Sequence, residues 1–223
     1  MVAPRPLTAL PLLGLLLVSS IAPRPATARC VTLDDFSRGR IGEFPAEWKP
    51  RKETGRPVYS IREEGGRRFL HAAARGLGVQ AGREVGWDLE THPVLAWWWR
   101  PIELPRGSDE RKSGTNDSAL AVYAVFPGST MSVKAVKYIW SRLVPVGIRL
   151  TSSAGNTQVR VLRSGTERAG QWVEERVNVR EDYLKYFGGS DLPRPAGIAV
   201  LTDSDDTGSS AKGDYASFHA CTP

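Results

Sequence analysis

The sequence predicts an all-β protein, an antiparallel two-sheet β-sandwich whose ends are joined by a disulfide, and three observations carry that expectation. Short runs rich in β-branched and aromatic residues recur at near-regular intervals, separated by clusters of Gly, Pro, Asp and Ser. Long helical periodicity is missing. The two cysteines, Cys30 and Cys221, stand at either end of the chain that follows an apolar leader. A length of 223 residues, 41% hydrophobic and 24% charged, describes a globular protein and excludes disordered, collagenous and multi-spanning classes.

The leader comes first. Arg5 precedes a leucine-rich apolar run over residues 7–21, and Ala26-Thr27-Ala28 supplies a small-x-small cleavage pattern, so residues 1–28 are expected to be a signal peptide. The run is short for a membrane helix and is interrupted by Pro11, Gly14, Pro23 and Pro25, which disfavours the rival reading as an uncleaved anchor. Arg29 before Cys30 disfavours a lipoprotein, whose signal wants a small residue there. Cleavage after Ala28 leaves one domain, residues 29–223, that is periplasmic or secreted and has no membrane insertion. In an oxidising compartment Cys30 and Cys221 read as a disulfide. That bridge requires the first and last strands to be neighbours, with Cα atoms within roughly 7 Å.

The mature chain starts with a strand over residues 30–36. Residues 58–63 and 67–74 flank Gly65-Gly66, a two-residue hairpin signal. Residues 85–89 and 94–102 follow, and 106–118 read as a polar surface loop. The nearly continuous apolar run 119–126 is expected to be a central strand covered on both faces. Further strands fall at 133–140, 146–151, 158–163 and 172–179. One short helix is expected over 180–187, with Asn178 as cap and Gly188-Gly189 as stop. Strands at 198–202 and 215–221 complete ten to twelve, with no repeat and no linker.

Several ordered motifs together resemble one family. These are Pro93-Val94-Leu95-Ala96-Trp97-Trp98-Trp99-Arg100, Asp117 with Val122-Tyr123-Ala124-Val125-Phe126, Tyr138-Ile139-Trp140-Ser141, Asn178-Val179 with Asp182-Tyr183 and Phe187-Gly188, and Leu201-Thr202-Asp203-Ser204-Asp205-Asp206-Thr207. The chain is similar to the DUF3047 family of exported bacterial proteins. The resemblance implies a jelly-roll sandwich like the galactose-binding-like carbohydrate modules, without an assigned function. The family tends to read Trp-Arg-Trp-Arg where Trp97-Trp98-Trp99-Arg100 stands and often has Arg at Ala121, so two basic positions are lost here.

Alternation along a strand puts Leu95, Trp97 and Trp99 on one face and Ala96, Trp98 and Arg100 on the other. Burying two indoles contributes roughly 2 to 3 kcal/mol each, so Trp97 and Trp99 are assigned to the interior. Trp98 with Arg100 is either a sugar-stacking platform or a ring stacked by its own neighbours. Tyr123 and Tyr138 would join that ligand-binding face, or else are core residues with satisfied hydroxyls. Asp203, Asp205, Asp206 and Asp214 gather carboxylates, and Asp203, Asp205 and Asp214 are candidate ligands of a structural calcium, with Asp34 and Asp35 nearby. A solvated acidic turn is the alternative.

Catalytic signatures are poor. His71, His92 and His219 lack metal-ligand spacing, and neither a nucleophile elbow nor a phosphate-cradling loop is present. The net charge of +6 is spread along the chain, and export removes the usual partner, so nucleic acid is not expected. The expected function is a non-catalytic binding module for envelope or extracellular glycan. Alternatives are a lyase of acidic glycans, using Tyr123, Tyr138, Arg100 and Lys137, a hydrolase for which the sequence nominates no carboxylate pair, and a structural envelope protein with a protein partner.

Overall fold

The computed structural model describes residue 1 and residues 28–128, 133–152, 154–189 and 191–223. Apart from residues 1 and 28, the expected signal peptide lies outside the described residues. Thirteen strands and one α-helix are described, in the order β1 (Cys30–Asp34), β2 (Lys49–Pro50), β3 (Tyr59–Glu64), β4 (Arg67–Arg75), β5 (Ala81–Glu84), β6 (Val94–Glu103), β7 (Leu120–Phe126), β8 (Lys134–Ser141), β9 (Arg149–Thr151), β10 (Thr157–Ser164), β11 (Val173–Asn178), α1 (Val179–Phe187), β12 (Gly197–Leu201) and β13 (Ser210–Cys221). Two sheets stack as the expected sandwich. The first runs β11-β6-β13-β4-β3 with β1 also on β13, and the second runs β2-β5-β12-β7-β8-β10-β9.

The hairpin between β3 and β4 turns on Gly65 and Gly66, whose φ of 58° and 78° are the left-handed values that a two-residue turn of this kind demands. Helix α1 begins and stops as expected: the Asn178 side chain accepts a hydrogen bond from the Glu181 N–H, and Gly188 follows its last turn. Cys30 and Cys221 are register partners of β1 and β13 and are bonded, with Cα atoms 4.0 Å apart.

Four expectations change. The strand expected at 85–89 is instead Ala81–Glu84, a segment of low β-propensity that takes its form from pairing with β12 and β2. The expected strand at 146–151 shrinks to Arg149–Thr151, and the last strand grows to twelve residues. The second sheet is not wholly antiparallel, because β8 and β10 run parallel. The chain leaves β8, passes outside to β9 and folds back, so that β10 comes to lie between them in the direction of β8.

Between the sheets lies one aromatic core. Trp97 and Trp99 are fully buried, as the alternation predicts, with ring centroids 5.4 Å apart. Trp97 packs on Tyr138 and Trp99 on Trp140, each pair at 5.7 Å. The Trp99 indole donates to Glu175 Oε1 (3.1 Å), whereas the buried Trp97 N–H has no hydrogen-bond partner. In β13 the register with β6 slips between Ala216 and His219, and Ser217 adopts φ 54°. This bulge lets Tyr215 and Phe218, three positions apart, both enter the core.

The bridge between Cys30 and Cys221 closes almost the whole described chain, with a sequence separation of 191 residues. In the chain-entropy account a loop of that size stabilises by at most about 5 kcal/mol. Urea unfolding with and without reductant should therefore show a large loss of stability on reduction, and equal midpoints would refute it.

Candidate functional site

The outer face of the second sheet follows from strand alternation. Leu120, Val122, Ala124 and Phe126 of β7 enter the core, leaving Ala121, Tyr123 and Val125 on the far side. In β8, Val136, Tyr138 and Trp140 turn inward, while Ala135, Lys137 and Ile139 turn outward. Tyr123 and Lys137 are register partners on this outer face, and the Lys137 Nζ lies 5.6 Å from the Tyr123 ring centroid.

This face is partly roofed by the segment between β6 and β7. Glu110, from that segment, accepts from Ser118 Oγ (3.1 Å) and from Ser141 Oγ at the end of β8. Beneath and beside it opens a cleft of about 510 Å³ whose lining includes Tyr123, Lys137, Glu110, Arg111, Asn116 and Val159. Arg51 and Gln80 also line it, and both recur in an adjoining hollow of about 290 Å³ with Lys49, Gly82, Glu84 and Val125.

The charges around the cleft are tightly coupled. Burial opposes the charge of Lys137, but Tyr123, Asp203 and Glu110 around it hold its pKa above the ordinary lysine value. Burial raises the Glu110 carboxyl, with the Ser141 and Ser118 hydroxyls pulling the other way. Burial likewise pushes Asp203 up to about 8, opposed by Lys137 and reinforced by Asp205 and Asp117. Asp203 thus favours its protonated form near one ammonium, and burial shifts the Glu110 carboxyl in the same direction.

The four residues expected to share a ligand face are separated. Trp98 and Arg100 do lie together, on the outer face of the first sheet. There the Arg67 guanidinium sits over Trp98 (4.8 Å), and Arg100 sits over Trp172 (4.6 Å) while bonding Asp214 Oδ2 (2.7 Å) and Glu64 Oε2 (2.6 Å). Tyr123 belongs to the outer face of the other sheet. Tyr138 is fully buried between the sheets and donates to Asp182 Oδ2 (2.9 Å), because the pleat that turns Lys137 outward turns its neighbour inward.

The acidic group also changes membership. Asp214 is buried on the first sheet, held by Arg100 and by His71 Nδ1 (2.7 Å), and Asp34 is engaged by the Trp48 indole (2.6 Å) and Arg83 (2.6 Å). Asp203 and Asp205 are joined instead by Asp117, with one carboxylate oxygen of each lying within 4.8 Å of the others. Asp117 is not among the carboxylates the sequence groups together, because it stands far back in the chain at the end of the polar loop. It meets the turn after β12 where the Asp203 N–H donates to the Ser118 carbonyl (3.0 Å), and it accepts from the Asp206 and Thr207 N–H groups (3.1 and 2.9 Å).

The family described as "Protein of unknown function (DUF3047)" matches residues 46–219. No curated protein matches the chain. Among solved structures, the chain is similar to TmCBM27, a carbohydrate-binding module that recognises mannan (14% identity, 87% of this chain and 99% of that one, TM-score 0.38). It is also similar to endoglucanase 3 of Trichoderma harzianum, from family GH12 (7% identity, 90% and 99%, TM-score 0.42), and to CBM28, a module specific for non-crystalline cellulose (11% identity, 79% and 84%, TM-score 0.34).

The raised Asp203 carboxyl sets a direction for stability against pH. Its pKa in the folded state, about 8, lies above the ordinary 3.8, so between these values the folded state holds more protons than the unfolded one. Its contribution is present at low pH and is lost as pH rises towards and through about 8. In the presence of a chelator, the urea midpoint should fall between pH 5 and pH 8.5, and Asp203→Asn should flatten that slope. A wild-type midpoint that rises over this interval would contradict the assignment.

Proposed function

This chain belongs to the DUF3047 family, and from that premise we propose that it is an exported, non-catalytic protein that binds a glycan chain across the outer face of its second sheet. One feature carries it: Arg51 and Gln80 line both the cleft over Tyr123 and Lys137 and the adjoining hollow over Gly82 and Val125. The two depressions adjoin at Arg51 and Gln80, which hydrogen-bond each other (3.4 Å), and we read them as one trough across the strands. Seven strands separated by about 4.8 Å give such a trough a reach of roughly 30 Å, enough for several sugar rings. Its floor combines apolar and aromatic surface with forked and amide side chains. Arg51, Gln80 and Asn116 offer hydrogen bonds to ring hydroxyls, and the half-buried Leu150 and Val159 offer apolar contact to a pyranose face.

Export is supported by the bond between Cys30 and Cys221, a cross-link typical of oxidising compartments, and by the leader-like residues 1–28. Among the described residues no helix is long and apolar enough to cross a membrane. The mature protein is expected to begin at Arg29 and to act in the periplasm or outside the cell.

The outer face of the first sheet is the lesser candidate, because Trp98 and Arg100 already have partners in Arg67, Trp172, Asp214 and Glu64. A second reading is favoured by the neighbouring Tyr123, Lys137 and Glu110, whose carboxyl pKa is raised by burial: a lyase or hydrolase acting on an acidic glycan. New ultraviolet-absorbing double bonds or new reducing ends, formed when purified protein is incubated with uronate polymers, would establish that reading in place of simple binding.

Binding of the mature protein to an array of envelope and extracellular polysaccharides tests the trough directly. At least one glycan should be retained, the double variant Arg51→Ala with Gln80→Ala should weaken it tenfold or more, and Trp98→Ala should leave it unchanged. Loss of binding in Trp98→Ala alone would move the site to the other sheet, and retention of no glycan by the wild type would end the proposal.

A further inference from the structure

We propose that Asp117, Asp203 and Asp205 hold a hard divalent cation, calcium foremost, which pins the loop between β6 and β7 to the turn between β12 and β13. The donor set consists of oxygen alone, as calcium prefers. The three oxygens lie within 4.8 Å of one another, and atoms on opposite sides of a calcium ion are about 5 Å apart when each bond is about 2.4 Å.

Two further features point to an occupant. Asp203 is only 9% exposed, and its buried Oδ1 finds no donor: its side-chain neighbour is the Asp205 carboxyl, so only a proton shared between the two or a cation can satisfy it. Gly78 pairs with Asp203 across an isolated β-bridge, and a Cβ on Gly78 would stand 2.1 Å from Asp203 Oδ1 and 3.0 Å from Asp205 Oδ1. Gly78 is therefore what lets the Asp203 carboxylate pack directly on the backbone there, and any side chain at that position would displace it from Asp205.

The rest of the cluster is built to keep its shape. Both Asp117 oxygens are held by the turn: Oδ1 accepts from the Asp206 N–H, and Oδ2 accepts from the Thr207 N–H and Oγ1. Ser204 N–H donates to the Leu77 carbonyl (3.1 Å), which fixes the chain beside Gly78. Lys137 is the cation that acts on Asp203, a single charge facing the carboxyls of Asp117, Asp203 and Asp205. Asp205 is exposed, so a cation can enter from solvent. Calcium takes six to eight oxygens, and water fills the positions that the carboxylates leave.

The consequence reaches the trough, because Glu110, Arg111 and Asn116 of its wall belong to the loop that ends in Asp117. The inference does not depend on the ligand of that trough, and its test needs no glycan. Mature protein freed of metal with a chelator is titrated with calcium chloride, following heat of binding and melting temperature. One site per chain and a saturable rise in melting temperature, reversed by chelator, are expected.

Asp205→Asn should fold, since its carboxylate is exposed, and should melt at or above the metal-free wild type because a repelling charge is gone. It should lose most of the calcium-induced rise. Gly78→Ala should weaken calcium binding tenfold or more by crowding Asp203 and Asp205. A wild type indifferent to calcium and magnesium overturns the proposal, and so does an Asp205→Asn variant that responds as the wild type does. A wild type whose melting temperature depends on pH alone would assign the three carboxylates to a shared proton instead.

Discussion

Two tyrosine hydroxyls cross from one sheet to the other and decide where β12 ends. Tyr215, fully buried on β13, donates to the Leu201 carbonyl (2.8 Å), meets Thr202 Oγ1 (2.9 Å) and accepts from the Ala121 N–H (3.3 Å). Tyr59, on β3, accepts from the Thr202 N–H (3.3 Å) and donates to the Val79 carbonyl (2.7 Å). The polar backbone at the close of β12 is thereby satisfied from inside the core, where an orphaned group would cost about 1 to 3 kcal/mol. Asp203 is the next residue along, so its carboxylate inherits a position set by the first sheet. Glu110, Lys137 and the floor of the trough are arranged around that fixed point.

The two outer faces illustrate opposite uses of similar chemistry. On the first sheet, arginines and aromatic rings satisfy one another: Arg67 lies over both Trp98 and Trp172, and Arg100 over Trp172 and Phe69. Stacks of this kind are favourable by about 0.5 to 2 kcal/mol and leave the cations little freedom to take another partner. On the second sheet, a loop stands over the strands and encloses an open cleft instead of filling it. A sheet that packs on its core with one face is free to do either with the other, and the connecting segments decide which.

Much of the fold was legible because it rests on local pattern. The hairpin at Gly65-Gly66, the cap at Asn178, the inward pair Trp97 and Trp99 and the joined cysteines each follow from spacing or from one residue's chemistry. The candidate site was less legible. β7 is nearly uniformly apolar, β8 is interrupted only by Lys134, Lys137 and Ser141, and both are buried along most of their length, so no alternation reveals which tyrosine looks outward. Lys137 escaped its full weight for the same reason: it is 8% exposed, in a position where its type and its burial disagree. Asp117 and Asp203 meet only through the pairing of β7 with β12, a long-range fact to which neither local sequence testifies.

The margins of the second sheet set a limit on how anything can lie along it. One rim is β2, two residues long and ending in Pro50, which has no N–H to offer; the other is β9, three residues long. Rims so brief are poor templates for an additional strand, whether from a peptide or from another copy of the chain. An extended molecule crossing this sheet is accordingly recognised chiefly by what the side chains present, and the short rims disfavour edge-to-edge growth between copies.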